Sequence, residues 1–232
     1  VHQYLDVLKQ LGDTEEAAAK RQEWLERCLS RTEEMQGLIT DWLTLARIES
    51  ETLSRRRIGV DLGRIVPGIL RSYEDMAAKR GVTFDADVPE NSYVVLGDPN
   101  CVTVLLDNLI VNAVKYNRPG GRVTVTVDQL DGDVVISIAD TGLGIPVEYR
   151  EYLFDEFFRI KEDGAEAATG SGLGLPICKR IVSEMGGSIE VESEEAVGST
   201  FRVRLPVYRG EAGASAPEEA QSELEFAQDI DR

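Results

Sequence analysis

The sequence is poorest in the side chains that most often do chemistry alone. Its 232 residues contain one histidine, His2, and three cysteines, Cys28, Cys101 and Cys178. The thiols lie far apart, which excludes a paired zinc or dithiol motif and fits a reducing cytosolic interior. No run approaches the ~18 to 20 apolar residues of a membrane span, and the N-terminus lacks the basic-then-apolar order of a signal segment. Basic residues are also scarce, 25 against 42 acids, for a net charge of −17. That balance repels nucleic-acid backbones and anionic lipid, so no nucleic-acid partner is expected. The one dense basic run, Arg55-Arg56-Arg57, reads as the solvated end of a helix. No internal repeat is visible.

What is present supports one full-sized core with a smaller appended unit, since 42% of the residues are hydrophobic. From Glu15 to about Arg56 the only helix breaker is Gly37, and Asp13-Thr14 before Glu15-Glu16 supplies an N-cap with acids in the first turn. Steps of four and three from Trp24 give Cys28, Arg31, Met35, Leu38, Trp42 and Leu45, flanked by Leu25, Ile39 and Ala46. This is an apolar stripe suited to a helical bundle. A shorter helical stretch, Val1–Leu11, precedes Gly12 and is expected to fold back on it as a hairpin. At ~1.5 Å per residue the arms span about 16 Å and about 60 Å. Met35, Leu38, Trp42 and Leu45 therefore await either another subunit or a longer first arm.

Near residue 58 the pattern changes to alternating helices and strands. Helices are expected over Leu62–Lys79, Pro99–Tyr116 and Leu173–Met185, with strands at Val82–Val88, Tyr93–Leu96, Ser188–Ser193 and Thr200–Val207. Arg122–Gln129 and Asp133–Ala139 alternate and meet at Asp131-Gly132, a hairpin signal. Antiparallel strands with the helices gathered on one face make an α+β fold, a two-layer α/β sandwich. Residues 1–57 thus form a partial helical hairpin and residues 58–209 the main domain. Residues 210–232, with seven acids and one base, form a disordered acidic tail.

Three segments carry chemistry. In Asn108–Tyr116 the i, i+4 spacing puts the amides of Asn108 and Asn112 on one helix face. An amide oxygen is a neutral hard ligand for Mg2+, and the ammonium of Lys115 can balance phosphate charge. Asp140-Thr141-Gly142-Leu143-Gly144-Ile145-Pro146 follows a strand, where a carboxylate can accept from an exocyclic amine and glycines let backbone approach a planar ring. Gly170-Ser171-Gly172-Leu173-Gly174-Leu175 opens a helix, so its free amides can face phosphate oxygens. No strand leads directly into it. The small and polar run Lys161–Thr169 precedes it, as expected of a mobile lid.

In this order the three segments resemble the ATP-binding domain of sensor histidine kinases, a relative of gyrase, the Hsp90 chaperones and the mismatch-repair ATPases. The likeness covers about residues 60 to 207 and includes Phe154-Asp155-Glu156-Phe157-Phe158-Arg159 and Gly198-Ser199-Thr200-Phe201. It implies ATP and Mg2+ as cofactors. Asn112 would hold Mg2+ with Asn108 beside it, Lys115 and Tyr116 would line phosphate and ribose, and Asp140 would accept the adenine amino group. Gly142, Gly144, Ile145 and Thr200 would lie close to the base. Gly170, Ser171, Gly172, Leu173, Gly174 and Leu175 would cover the triphosphate, with Phe158 and Arg159 beside them and Phe154, Phe157 and Phe158 anchoring the lid. The family's hydrolytic relatives place a glutamate at the position of Asn108, and an amide cannot take a proton at neutral pH. The site is thereby expected to withhold the γ-phosphate from water.

Kinases of this family phosphorylate a histidine in a string close to His-Glu-Leu-Arg-x-Pro on the first hairpin arm. His2 is followed by Gln3-Tyr4-Leu5-Asp6-Val7 and does not fit. The acceptor and the start of the first arm are therefore expected to lie outside this chain, which then cannot phosphorylate itself. The resemblance implies a homodimer in the full-length protein, relay to the receiver domain of a response regulator, and a cytoplasmic location for this portion. Any attachment to the inner membrane falls to other segments. The alternatives are a hydrolytic ATPase of the wider superfamily and a non-catalytic nucleotide-binding module.

Overall fold

The computed structural model describes residues 15–49, 57–89, 93–160 and 170–214. His2, the arm Val1–Leu11, the Asp13-Thr14 cap, Arg55-Arg56, the run 161–169 and the tail beyond 214 lie outside the described residues.

Helix α1 spans Glu15–Glu49. Its Thr32, Thr40 and Thr44 hydroxyls donate to carbonyls four residues back at 2.8, 2.9 and 2.8 Å, which accommodates residues that otherwise compete with helical hydrogen bonding. Met35, Leu38 and Trp42 are exposed, as the stripe required. Leu45 departs from that expectation: it packs against the core of the domain that follows, so part of the stripe is covered from within the chain.

The following elements are β1 (Ile58–Asp61), α2 (Leu62–Lys79), β2 (Thr83–Asp87), β3 (Val94–Gly97), α3 (Pro99–Lys115), β4 (Arg122–Leu130) and β5 (Asp133–Asp140). A 3-10 turn at Val147–Tyr152 comes next, then α4 (Gly174–Glu184), β6 (Ser188–Glu194) and β7 (Gly198–Pro206). The main sheet has the order β2-β4-β5-β7-β6. Along β4, Val123, Val125 and Val127 are fully buried while Thr124 and Thr126 between them are half-buried. Alternation with period two covers one sheet face and leaves the other to solvent. The covered face meets α2, α3 and α4 in one hydrophobic core that includes Leu70, Leu109, Ile136, Ile181 and Val203.

Two strands depart from the expectation of one antiparallel sheet. β2 runs parallel to β4, because the chain between them crosses over through α3 rather than turning back in a hairpin. β3 pairs antiparallel with β1 in a separate two-stranded sheet, joined to the end of β7 only by an isolated bridge between Val95 and Val207. β1 was not expected, since four residues that include Gly59 carry too little alternation to signal a strand. The hairpin between β4 and β5 closes at Asp131-Gly132 with φ of 55° and 94°, as the dipeptide predicts for a two-residue turn. Residues 210–214, expected to begin the disordered tail, fold back on β1. Gly59 N donates to Ala214 O at 2.9 Å and Gly213 N donates to Gly59 O at 2.8 Å.

Helix α3 is the central helix. Asp98 caps it by accepting from Asn100 N at 2.7 Å, and Pro99 occupies the first turn, where its missing N–H costs nothing. Val102, Leu105, Leu106, Leu109, Ile110, Ala113 and Val114 are its buried positions. Leu109→Ala removes a fully buried side chain, and we expect it to destabilise the chain by about 2–5 kcal/mol. Urea denaturation followed by circular dichroism measures this; a loss under about 1 kcal/mol would place Leu109 outside the stabilising core.

Candidate functional site

The opposite flank of α3 is polar. Asn108, Asn112 and Lys115 are half-buried there, and the helix ends at Tyr116, which is 43% exposed. Asn108 donates from Nδ2 to Val104 O at 2.9 Å. The Asn112 side chain makes no hydrogen bond to a described residue, so its half-buried amide is available to a ligand. Lys115 Nζ lies 4.9 Å from the centre of the Tyr116 ring, within cation–π range.

The glycine-rich segment lies along this flank. Gly174 meets Asn108 so closely that a Cβ there would stand 2.6 Å from Asn108 Oδ1. A Cβ on Gly170 would stand 3.2 Å from Lys115 Nζ. The segment thus runs beside α3 from Lys115 to Asn108 and enters α4 at Leu173, which is buried. Gly172 O accepts from Phe157 N at 3.0 Å, and Leu175 packs half-buried against the core. Phe158 is half-buried and tilts against Tyr149 and Tyr152, with ring centres 6.1 and 5.8 Å away. Arg159 is exposed. The aromatic cluster divides: Phe154 packs against the core, whereas Phe157 is 61% exposed and so anchors little through its ring.

The Asp140 segment reaches the same place from the sheet. Leu143 N donates to the carbonyl of Tyr116 at 3.0 Å, tying the loop after β5 to the end of α3. Gly144 has φ of +68°, and a Cβ there would stand 1.9 Å from Glu194 O. Only glycine allows the loop to cross the β6–β7 turn so closely. Ile145 N donates to Ser193 Oγ at 2.8 Å. On the neighbouring strand β7, Thr200 pairs with Ala139 and Ser199 with Asp140. Asp140 Oδ1 accepts from Gly142 N at 2.8 Å.

Burial pushes the Asp140 carboxyl above its ordinary range, and the backbone donors Gly142 and Ser199 oppose that shift. A similar effect acts at Asp107 and Tyr73. Asp107 is raised by burial against a lowering hydrogen bond from Tyr73, and the Tyr73 phenol is pushed up to about 12 by burial and by Asp107.

Asn117, Ser193 and Ser199 join these parts; Asn117 and Ser193 escaped the sequence reading, and Ser199 entered it only within Gly198-Ser199-Thr200-Phe201. Asn117 Nδ2 donates to Ala113 O and to Arg122 O, both at 3.1 Å, and its Oδ1 accepts from Arg118 N at 3.0 Å. An asparagine just past a helix end is a turn signal that could have found it. Ser193 Oγ lies 2.9 Å from Ser199 Oγ and 3.0 Å from Gly198 O. Single serines in strands leave no such signal.

Residues 97–209 match the family described as Histidine kinase-, DNA gyrase B-, and HSP90-like ATPase. A relative, the adaptive-response sensory kinase SasA of Rippkaea orientalis, is 33% identical over 206 residues, 88% of this chain and 52% of that protein. Among solved structures, the mycobacterial sensor histidine kinase MprB is 32% identical with a TM-score of 0.55, covering 66% of this chain and 98% of that one. This chain belongs to the sensor histidine kinases. It carries their ATP-binding catalytic domain, and the site above is built in the segment where that domain matches. Full-length ShkA in complex with AMPPNP is 26% identical with a TM-score of 0.66, over 90% of this chain and 42% of that one. The present chain spans about half or less of the length of the relatives it matches. No helix among its described residues is long and apolar enough to cross a membrane.

The Asp140 shift in this kinase domain makes a testable statement about stability. A carboxyl raised on folding binds its proton more tightly in the native state, so its contribution falls as pH rises from the unfolded carboxylate pKa through the folded one. Asp140→Asn carries no such penalty. We expect the nucleotide-free variant to be at least as stable as the parent at pH 7, with the difference shrinking toward acid pH. Thermal unfolding across that range checks it, and a variant less stable at pH 7 than at pH 3, relative to the parent, reverses the sign.

Proposed function

We propose that this domain binds ATP with Mg2+ along the polar flank of α3 and that the full-length protein passes the γ-phosphate to a histidine, for relay to a response-regulator receiver aspartate. The observation that carries this reading is the convergence of three separate segments on one flank. Gly174 abuts Asn108, Gly170 abuts Lys115, and Leu143 is bonded to Tyr116.

The donor set fits the ligand. The free amide of Asn112 offers an uncharged oxygen to Mg2+, with Asn108 one turn away. Lys115 brings a positive charge to the phosphates and Tyr116 a ring edge to the ribose. Ser171 and Leu175, with the glycines between them, offer backbone donors at a helix start, while Leu173 N is engaged by Ser171 Oγ. Phe158 and Arg159 flank that segment. Asp140, desolvated and already ordered by Gly142 N, accepts the adenine amine beside Gly142, Gly144, Ile145 and Thr200. When bound, ATP with Mg2+ supplies the activated phosphoryl group. The chain's own contribution is to position it and to offer no base: an amide at 108 takes no proton from water.

Residues 1–57 read as the end of a dimerisation hairpin whose acceptor arm lies outside this chain, residues 58–209 as the catalytic domain and 210–232 as an acidic appendage. The exposed Met35, Leu38 and Trp42 suit a second copy in a homodimer. This portion would work in the cytoplasm.

Calorimetry should detect binding of Mg·AMPPNP. Asp140→Asn should weaken it by about tenfold or more, the worth of a charge-assisted hydrogen bond, and Asn112→Ala should remove the Mg2+ dependence. Labelled ATP should leave the chain without acid-labile label, and a longer protein containing the acceptor arm should gain it. Steady phosphate release by the chain would instead identify a hydrolytic ATPase, and unchanged affinity in Asp140→Asn would displace that residue from the adenine.

A further inference from the structure

The nucleotide segment is held from outside its own domain. Ser171 Oγ donates to Asp41 Oδ2 of α1 at 2.5 Å and accepts from Leu173 N at 3.0 Å. A single hydroxyl therefore links the long helix to the entry of α4. One turn further along α1, Leu45 packs against the core and, with Phe154, Pro176 and Lys179, lines a crevice of about 260 Å3. Next to α4, α1 thus makes one polar contact at the segment that leads into that helix and one apolar contact with the core, with a crevice beside them.

The polar point lies where charge matters. Leu173 stands at the N-cap position of α4 and no side chain caps that end. Its free amides and the positive helix end attract an anion, and Asp41 is the carboxylate beside them. Its negative charge reaches into the helix, where burial chiefly, and Asp41 in addition, hold the Cys178 thiol above its ordinary range. The same segment abuts Asn108, one turn from the residue assigned above to the metal, and Lys115, assigned to the phosphates.

We propose that Asp41 is an internal anion that competes with the triphosphate for the Ser171–Gly174 entry to α4, so that docking of α1 and binding of nucleotide oppose each other. This rests on the reading of the site as a nucleotide site. The two negative groups cannot share the helix end without repulsion, and Ser171 cannot donate its one proton to both. By linkage, whatever nucleotide does to the α1 contact, the contact does to nucleotide affinity. Nucleotide then releases the long helix at Asp41, and a force that presses α1 onto α4 expels nucleotide. The catalytic domain would be freed from its own hairpin only when loaded.

The test uses the full chain with Mg·AMPPNP and the variants Asp41→Asn and Asp41→Ala. Both should bind nucleotide more tightly than the parent, on the order of fivefold or more, a gain that a merely structural role for Asp41 would not produce. Trp42, adjacent to Asp41 and 63% exposed, gives a second readout in a Trp24→Phe background, since the chain has only two tryptophans. Saturating nucleotide should shift its emission, and Asp41→Ala should show the shifted emission without nucleotide. The proposal is overturned if both variants bind no tighter than the parent while Asp140→Asn still weakens binding. If the parent binds no nucleotide at all, the nucleotide reading itself falls, and this proposal with it.

Discussion

The site depends on the division of α3 into two unlike flanks. Its apolar flank fills the core between the sheet and the neighbouring helices, and because that burial holds the helix against the main sheet, the other flank is presented at a defined height and angle. The ends reinforce this. Asp98 secures the start, while Tyr116 O and Asn117 bind the loop after β5 and the start of β4 to the finish. Asn108, Asn112 and Lys115 are therefore rigidly placed although none of them belongs to the core.

Around this helix the chain relies on close backbone approach in place of side-chain bulk. Gly174 against Asn108 and Gly144 against Glu194 leave no room for a Cβ. Free amides gather at the start of α4, and Asp140 is stripped of part of its water before any ligand arrives. Two of these features cost stability in the empty chain: the uncapped donors and the desolvated carboxyl. An anion at the helix start and an amine at the carboxyl would relieve them, and ATP carries both groups.

Much of this was legible in the residues. The helices over Leu62–Lys79 and Pro99–Lys115 and the hairpin at Asp131-Gly132 follow from local periodicity and turn chemistry, which need no tertiary partner. The segments Asn108–Tyr116, Asp140–Ile145 and Gly170–Leu175 were visible because donors, carboxylates and glycines were grouped by motif. Less legible were the four-residue strand β1, the parallel pairing of β2, and the ordering of residues 210–214 on Gly59. Short or edge elements carry little pattern of their own and form only when another strand offers its hydrogen bonds.

Sequence alone determined which chemical groups are available: an amide rather than an acid at Asn108, a single histidine, and a net charge of −17. These are properties of residue identity and survive without coordinates. Only the tertiary structure decided that Leu45 faces inward while Trp42 faces out, that Phe157 is exposed while Phe154 packs, and that Asp41 meets Ser171 across 130 positions. Such contacts join segments with no mutual periodicity, and they arise only after the core has brought two independent helices together.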